Sequence, residues 1–327
     1  RVERYPRESF QLATKLPAWA GPKTKQEAEQ MLYTSLERTG AGYFDFYLLH
    51  NLGETRTHYF DDYDIWHFLA EKKKEGLIRH LGFSIHDKAD VLDEVLTAHP
   101  EMEFVQLQIN YADWEDANIE ARKCYEVARR HGKPIIIMEP VKGGTLANPP
   151  QEVTDLFDKV NPDASYASWA IRYAASLDGI ITVLSGMSNI EQMADNLSYM
   201  KDFKPLDDRE QAAIEKAREM LAAIPTVPCT ACAYCMKDCP QSIAIYGTFQ
   251  AVNMVNLITG IPPATAGARL RSVSAAAIAK RSVRSISPFA KNWLKLPPSS
   301  KAESPDGNSL PVFFGGVHRL AGKPAIN

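Results

Sequence analysis

Several things are scarce in this 327-residue sequence, and each scarcity excludes something. No run of about 18 apolar residues occurs, so no membrane-spanning helix is expected. Basic residues do not predominate: 37 Lys and Arg face 40 Asp and Glu, for a net charge of −3. A nucleic-acid-binding surface is therefore not expected. There is no G-x-G-x-x-G turn, which a doubly wound dinucleotide fold would usually carry after its first strand. Nor is there a recognisable leader, although the chain opens on Arg1, so this carries little weight. Cysteine is sparse as well. Of five, four (Cys229, Cys232, Cys235 and Cys239) fall within eleven residues. A tight cluster in a cysteine-poor chain reads as a metal site in a reducing, cytoplasmic compartment rather than a disulfide scaffold. The fifth, Cys124, sits in a helical pattern and reads as a small core residue.

What is present is a rhythm. Short β-branched and aromatic runs at 10–16, 43–50, 78–85, 104–110, 134–139 and 180–184 alternate with amphipathic stretches at 25–38, 63–75, 89–98, 119–130, 166–175 and 190–200. A last helix is expected from Asp207 to about Ala223. This alternation predicts an α/β fold with a parallel sheet. A (β/α)8 TIM barrel takes eight strands. With six in view, the expectation is a barrel lacking its first strand–helix units. Composition then divides the chain into a partial barrel at 1–223, a Cys-rich helical segment at 224–258, and an Ala-, Ser-, Arg- and Pro-rich disordered tail at 259–327.

Polar residues punctuate the strand ends. Lys15, His50, Ser84, Gln108 with Asn110, and Glu139 close successive strands, and Ser185 follows the sixth. Barrel enzymes place their chemistry at the C-terminal ends of strands, so this series is the candidate site.

The segments Ala13-Thr14-Lys15, Leu48-Leu49-His50, Leu81-Gly82-Phe83-Ser84 and Asp195-Asn196-Leu197, in this order and spacing, resemble the aldo/keto reductase family. The resemblance runs from about Arg4 to Met220. It implies hydride transfer between a nicotinamide cofactor, NADP or NAD, and a small-molecule carbonyl substrate. A Tyr whose pKa is lowered by a neighbouring Lys would protonate the oxygen. Lys15 matches that Lys and His50 matches the His that orients the carbonyl. The family's Asp and Tyr find no counterpart: Tyr43 and Asp45 enter a strand rather than leave it. The chain as it stands is accordingly expected to be inactive as a reductase. Ser84 and Gln108 match positions that hold the carboxamide, while Met138 falls where many members stack a Tyr. Ser185, Gly186 and Met187 precede a helix whose N-terminus suits a phosphate, and Asp195 and Asn196 match adenosine contacts. Gly186 and Gln192 stand where NADP-preferring members often carry Lys and Arg, which leaves NAD and NADP both open.

The Cys-x-x-Cys-x-x-Cys-x-x-x-Cys-Pro run has the spacing of a bacterial [4Fe–4S] ferredoxin. Together with the barrel segments it resembles the family branch with a C-terminal ferredoxin-type domain, which would serve a redox partner protein. In two-cluster ferredoxins the fourth Cys serves the other cluster, and no cysteine follows Cys239. Read one base earlier, permitted codons across 264–295 yield four cysteines and a proline at ferredoxin spacing. The tail is therefore expected to be a frameshift product without function. Two other readings stand beside the oxidoreductase: a non-enzymatic barrel remnant, and a zinc-binding module, since structural zinc also uses four thiolates.

Overall fold

The computed structural model describes residues 4–224, 227, 229, 235, 239 and 243–259. Its elements follow the chain as β1 (Ala13–Leu16), α1 (Lys25–Thr39), β2 (Phe44–Leu52), α2 (His58–Asp62), α3 (Ile65–Lys74), β3 (Ile78–Ile85), α4 (Ala89–Ala98) and β4 (Phe104–Gln108). Then come α5 (Ala121–Arg130), β5 (Ile135–Met138), α6 (Gln151–Val160), α7 (Tyr166–Ala175), β6 (Ile180–Val183), α8 (Ile190–Met200), α9 (Asp208–Ala222) and α10 (Ile245–Thr259).

The six strands form one parallel sheet in sequence order, β1-β2-β3-β4-β5-β6. A doubly wound sheet reverses its order at a switch point. This one never does, so it is an arc of barrel type with β1 and β6 as its edges among the described residues. Strands β4 and β5 are buried on both faces because helices cover one face and the barrel interior the other: all five residues of β4 are buried, as are the first three of β5. Gly82 lets β3 and β4 approach closely. A Cβ there would lie 2.3 Å from the Phe104 carbonyl oxygen.

The main core joins Leu49, Phe83, Val105 and Ile137 of the sheet to Leu32, Leu69, Leu92 and Val127 of the helices. Cys124 belongs to it, and burial pushes its thiol up to about 12. A second core under α6, α7 and α9 centres on Phe157 stacked on Trp169, 4.2 Å between ring centroids. There Arg172 holds Glu210 through two contacts of 2.7 Å, tying α7 to α9. Asp207 caps α9 and Glu210 returns the bond, a capping box.

At the N-terminal side of the sheet, Asp45 is buried between Arg7 (2.6 Å) and Arg79 (3.0 Å), with Arg7 over the Tyr43 ring. Tyr43 and Asp45 thus brace the end of the sheet opposite the candidate site. Among the described residues no helix is long and apolar enough to cross a membrane. Beyond α9, Asn253 of α10 clamps Val227, giving and taking one backbone hydrogen bond, each 2.7 Å. Cys232 and the tail expected to be disordered, from 260 onward, lie outside the described residues.

Candidate active site

The C-terminal ends of β1 to β5 assemble a polar mouth. Lys15 sits opposite Leu48 in the β1–β2 register. Half-buried, it makes no ion pair with a described carboxylate, and burial lowers its pKa. On β2 the sequence places the strand end at His50, but the strand runs on to Leu52 through a register shift between Leu49 and Leu52. Asn51, inside that shift, takes a left-handed φ of 59°, as irregular residues beside active sites often do. Its backbone N–H donates to Ser84 Oγ at 2.9 Å. Arg56 reaches its Oδ1 at 3.4 Å. Its fully buried Nδ2 has no partner among the described residues. The His50 carbonyl accepts from the Trp19 indole at 2.8 Å, and the two rings lie 6.0 Å apart. Ser84 is therefore tied to the strand that carries His50.

The β4–β5 side is a buried network. Asp113, inaccessible to solvent, accepts from Gln108 Nε2 at 3.1 Å and Asn110 Nδ2 at 2.8 Å, and pairs with Lys142. Asn110 also donates to the Glu139 carbonyl at 3.2 Å. Glu139 and Lys142 both hold left-handed φ, 55° and 49°, ahead of Gly143 and Gly144. Burial first, and the Asp113 charge second, push the Glu139 carboxyl up to about 7 against the pull of Lys142. Met138 sits with its sulfur 3.0 Å from Gln106 Nε2. His86, just past β3, has its pKa lowered to about 4, chiefly by burial and further by Arg56 and Lys15, with Gln108 opposing.

The third part lies on β6 and α8. Asn196 Nδ2 donates to Ser185 Oγ at 2.7 Å, which brings these two expected cofactor residues together. Asp195 accepts from Ser165 at 2.8 Å. Asn189 caps α8 by accepting from the Gln192 amide. Gly186 has open space where a Cβ would point, and Met187 is exposed.

His86, Asn51, Arg56, Asp113 and Lys142 were not singled out by sequence reasoning. The one local signal for Lys142 was the Gly143-Gly144 pair after it; for His86 it was its place two residues after Ser84. Of the metal candidates, Cys239 accepts the Ile243 backbone N–H at 3.3 Å. Among the described residues no three His, Cys, Asp or Glu side chains group to hold a metal.

Comparison with known proteins agrees with this fold. An aldo-keto reductase of Mycolicibacterium vanbaalenii is 29% identical over 192 residues, 57% of this chain and 62% of that protein. The chain thus spans about three fifths of that relative's length. Among solved structures, the fold is similar to aldo-keto reductase AKR11C1 from Bacillus halodurans in its holo form (TM-score 0.51, 23% identity, 64% of this chain and 73% of that one). It is also similar to an aldo/keto reductase from Klebsiella pneumoniae in complex with NADP and acetate (TM-score 0.51, 20% identity, 66% and 72%). Residues 2–219 match the Aldo/keto reductase family, and the chain belongs to it.

Proposed function

We propose that this mouth is the nicotinamide and carbonyl site of an oxidoreductase. The observation that carries the reading is the order of side chains. Lys15, His50, Ser84 and Gln108 stand at or near the same ends of four consecutive parallel strands, where barrel enzymes keep their chemistry. Bound there, NADP or NAD supplies or accepts a hydride. Ser84 and Gln108 would hold its carboxamide. The backbone of 185–188 and the N-terminus of α8 suit its phosphates, and Asp195 and Asn196 its adenosine. The Ser185–Asn196 bond holds those two groups in one place. Lys15 contributes a positive charge with no described carboxylate against it, and His50 orients a carbonyl oxygen.

With no Tyr counterpart to give the proton, the chain itself is proposed to bind dinucleotide without sustained turnover. NADPH and NADH titrated against protein fluorescence test the binding. We expect saturable binding that weakens at least tenfold in Asn196→Ala; a flat titration contradicts the reading. Steady oxidation of NADPH by a carbonyl compound would contradict the inactivity.

Cys229, Cys232, Cys235 and Cys239 are proposed as thiolate donors to a [4Fe–4S] cluster that serves a redox partner protein. Support comes from their spacing and from the N–H directed at the Cys239 sulfur. Among the described residues no three His, Cys, Asp or Glu side chains group to hold a metal, so no electron-transfer step is derived through a cluster. Anaerobic purification decides the metal: absorbance near 400 nm with bound iron supports the cluster, whereas colourless protein with stoichiometric zinc replaces it.

A further inference from the structure

Glu139 leaves β5 at the mouth with its backbone pinned and its carboxyl unengaged. Its carbonyl oxygen accepts from Asn110 Nδ2 at 3.2 Å and from the Lys142 backbone N–H at 3.0 Å, while its φ is left-handed at 55°. Its carboxyl oxygen Oε2 is buried and has no hydrogen-bond partner among the described residues, although the residue as a whole is half-buried. An anionic oxygen in that place has neither water nor a donor against its charge, which is costly. A neutral carboxyl can leave a carbonyl-type oxygen there and carry its proton on Oε1.

The charges around Glu139 favour the same form. Asn110 Nδ2 also donates to Asp113 Oδ2 at 2.8 Å, so one amide joins Asp113 to the Glu139 backbone. Asp113 is matched by Lys142, and an ionised Glu139 would leave the group with a negative charge over. Burial first, then Asp113, raise the Glu139 carboxyl to about 7, with Lys142 opposing. The adjoining segment Ser185-Gly186-Met187-Ser188-Asn189 brings no charged side chain.

Position selects what such a group can meet. The Leu184 N–H donates to the Ile137 carbonyl at 2.8 Å, and Ile137 is in register with Val183. Glu139 and Ser185, the next residues outward, therefore leave the sheet at adjoining strand ends. His50 on β2 lies three strands away from β5, about 14 Å along the arc. A ligand group held at 185–188 is the nearer neighbour, and a carbonyl beside His50 is the farther one.

We propose that Glu139 binds the dinucleotide in its neutral form, donating an O–H from Oε1 to a diphosphate oxygen held at 185–188, so that binding takes up a proton from solvent. Ionised, the same carboxyl would set a negative charge against the phosphates. The inference rests on the dinucleotide reading of the mouth.

The test is titration calorimetry of the full chain with NAD+ at pH 8 in HEPES and in Tris, whose ionisation enthalpies differ. NAD+ is the probe because its diphosphate keeps its charge between pH 6 and pH 8, whereas a phosphate monoester such as the 2′-phosphate of NADP+ titrates near pH 6. The heats in the two buffers should differ by more than about half a proton per NAD+ bound, and Kd should weaken at least about fivefold from pH 6 to pH 8. In Glu139→Gln, which keeps an N–H donor but cannot ionise, the uptake should vanish and Kd should no longer follow pH. Glu139→Met has neither donor nor charge and should bind about tenfold more weakly than the wild type at pH 6.

If NAD+ binds with equal heats in both buffers, the proton uptake is overturned and the dinucleotide reading survives. Uptake that persists in Glu139→Gln overturns the assignment to Glu139. A Glu139→Met chain that binds at pH 6 as tightly as the wild type overturns the donated bond. If NAD+ binds at neither pH, the dinucleotide reading fails and takes this role of Glu139 with it.

Discussion

The two halves of the mouth rest on very different foundations. Ser84, Gln108 and Asp113 stand on or beside strands flanked by neighbours on both sides, in a sheet whose β4 is wholly buried. Ser185, Gly186, Met187 and Asp195 follow the edge strand β6, where Ile181, Leu184, Met187, Ile190, Met193 and Leu197 are exposed. Sequential parallel strands bury each other's faces only where a neighbour continues the arc. The interior half is therefore held by packing, and the edge half mainly by local bonds such as Ser185–Asn196 and the Asn189 cap. Interior residues should be sensitive to volume and charge, and edge residues nearly indifferent to it.

Truncation in the interior should break this contrast most severely. Phe83 is fully buried, and Phe83→Ala should cost about 3–5 kcal/mol in urea unfolding. Glu210→Gln comes close behind: it leaves Arg172 buried without its partner, at about 3–5 kcal/mol. The Arg172 contact, with bonds from Asn161 and the Asp207 backbone, holds Glu210 down at about 2 despite burial. Its contribution should be present above pH 4.5 and disappear as pH falls toward 2.

Gly82→Ala forces a methyl group against the Phe104 carbonyl and should cost about 1–3 kcal/mol by the same assay. Glu139 sharpens the comparison through pH. With its carboxyl raised from 4.5 to about 7, the folded state holds a proton that the unfolded state releases. Its own contribution to stability should therefore fall as pH rises from 4.5 to 7, and Glu139→Gln should remove that contribution. His86, lowered from 6.5 to about 4, acts oppositely, removing stability as pH falls from 6.5 to about 4. At the edge, Leu197→Ser should change stability by less than about 0.5 kcal/mol. A loss of several kcal/mol there would show that the β6–α8 face is covered in solution.

The sequence made legible what depends on period and composition. Strand β3 (Ile78–Ile85) and helices α4, α7 and α8 have the bounds expected from apolar spacing. The strand at 43–50 was legible too, but its continuation through Asn51 was not, because a left-handed residue in mid-strand is fixed by Ser84 from the neighbouring strand. Helix α6 carried its signal openly, with Val153, Leu156, Phe157 and Val160 at helical spacing after Pro149-Pro150, and was passed over. The site was read only along the chain. Lys15, His50, Ser84 and Gln108 followed from their strand-end positions. The Lys142–Asp113–Gln108 network joins residues up to 29 apart, and no local pattern announces a pairing across two strands.

Both halves of the mouth are proposed to take one nicotinamide dinucleotide. The most direct test is a crystal structure of the chain with NADP+ bound. The nicotinamide should lie over the ends of β1 to β4, beside Lys15, His50 and Ser84, with its phosphates against the backbone of 185–188. A dinucleotide bound away from the strand ends, or crystals that hold none at saturating concentration, would contradict it.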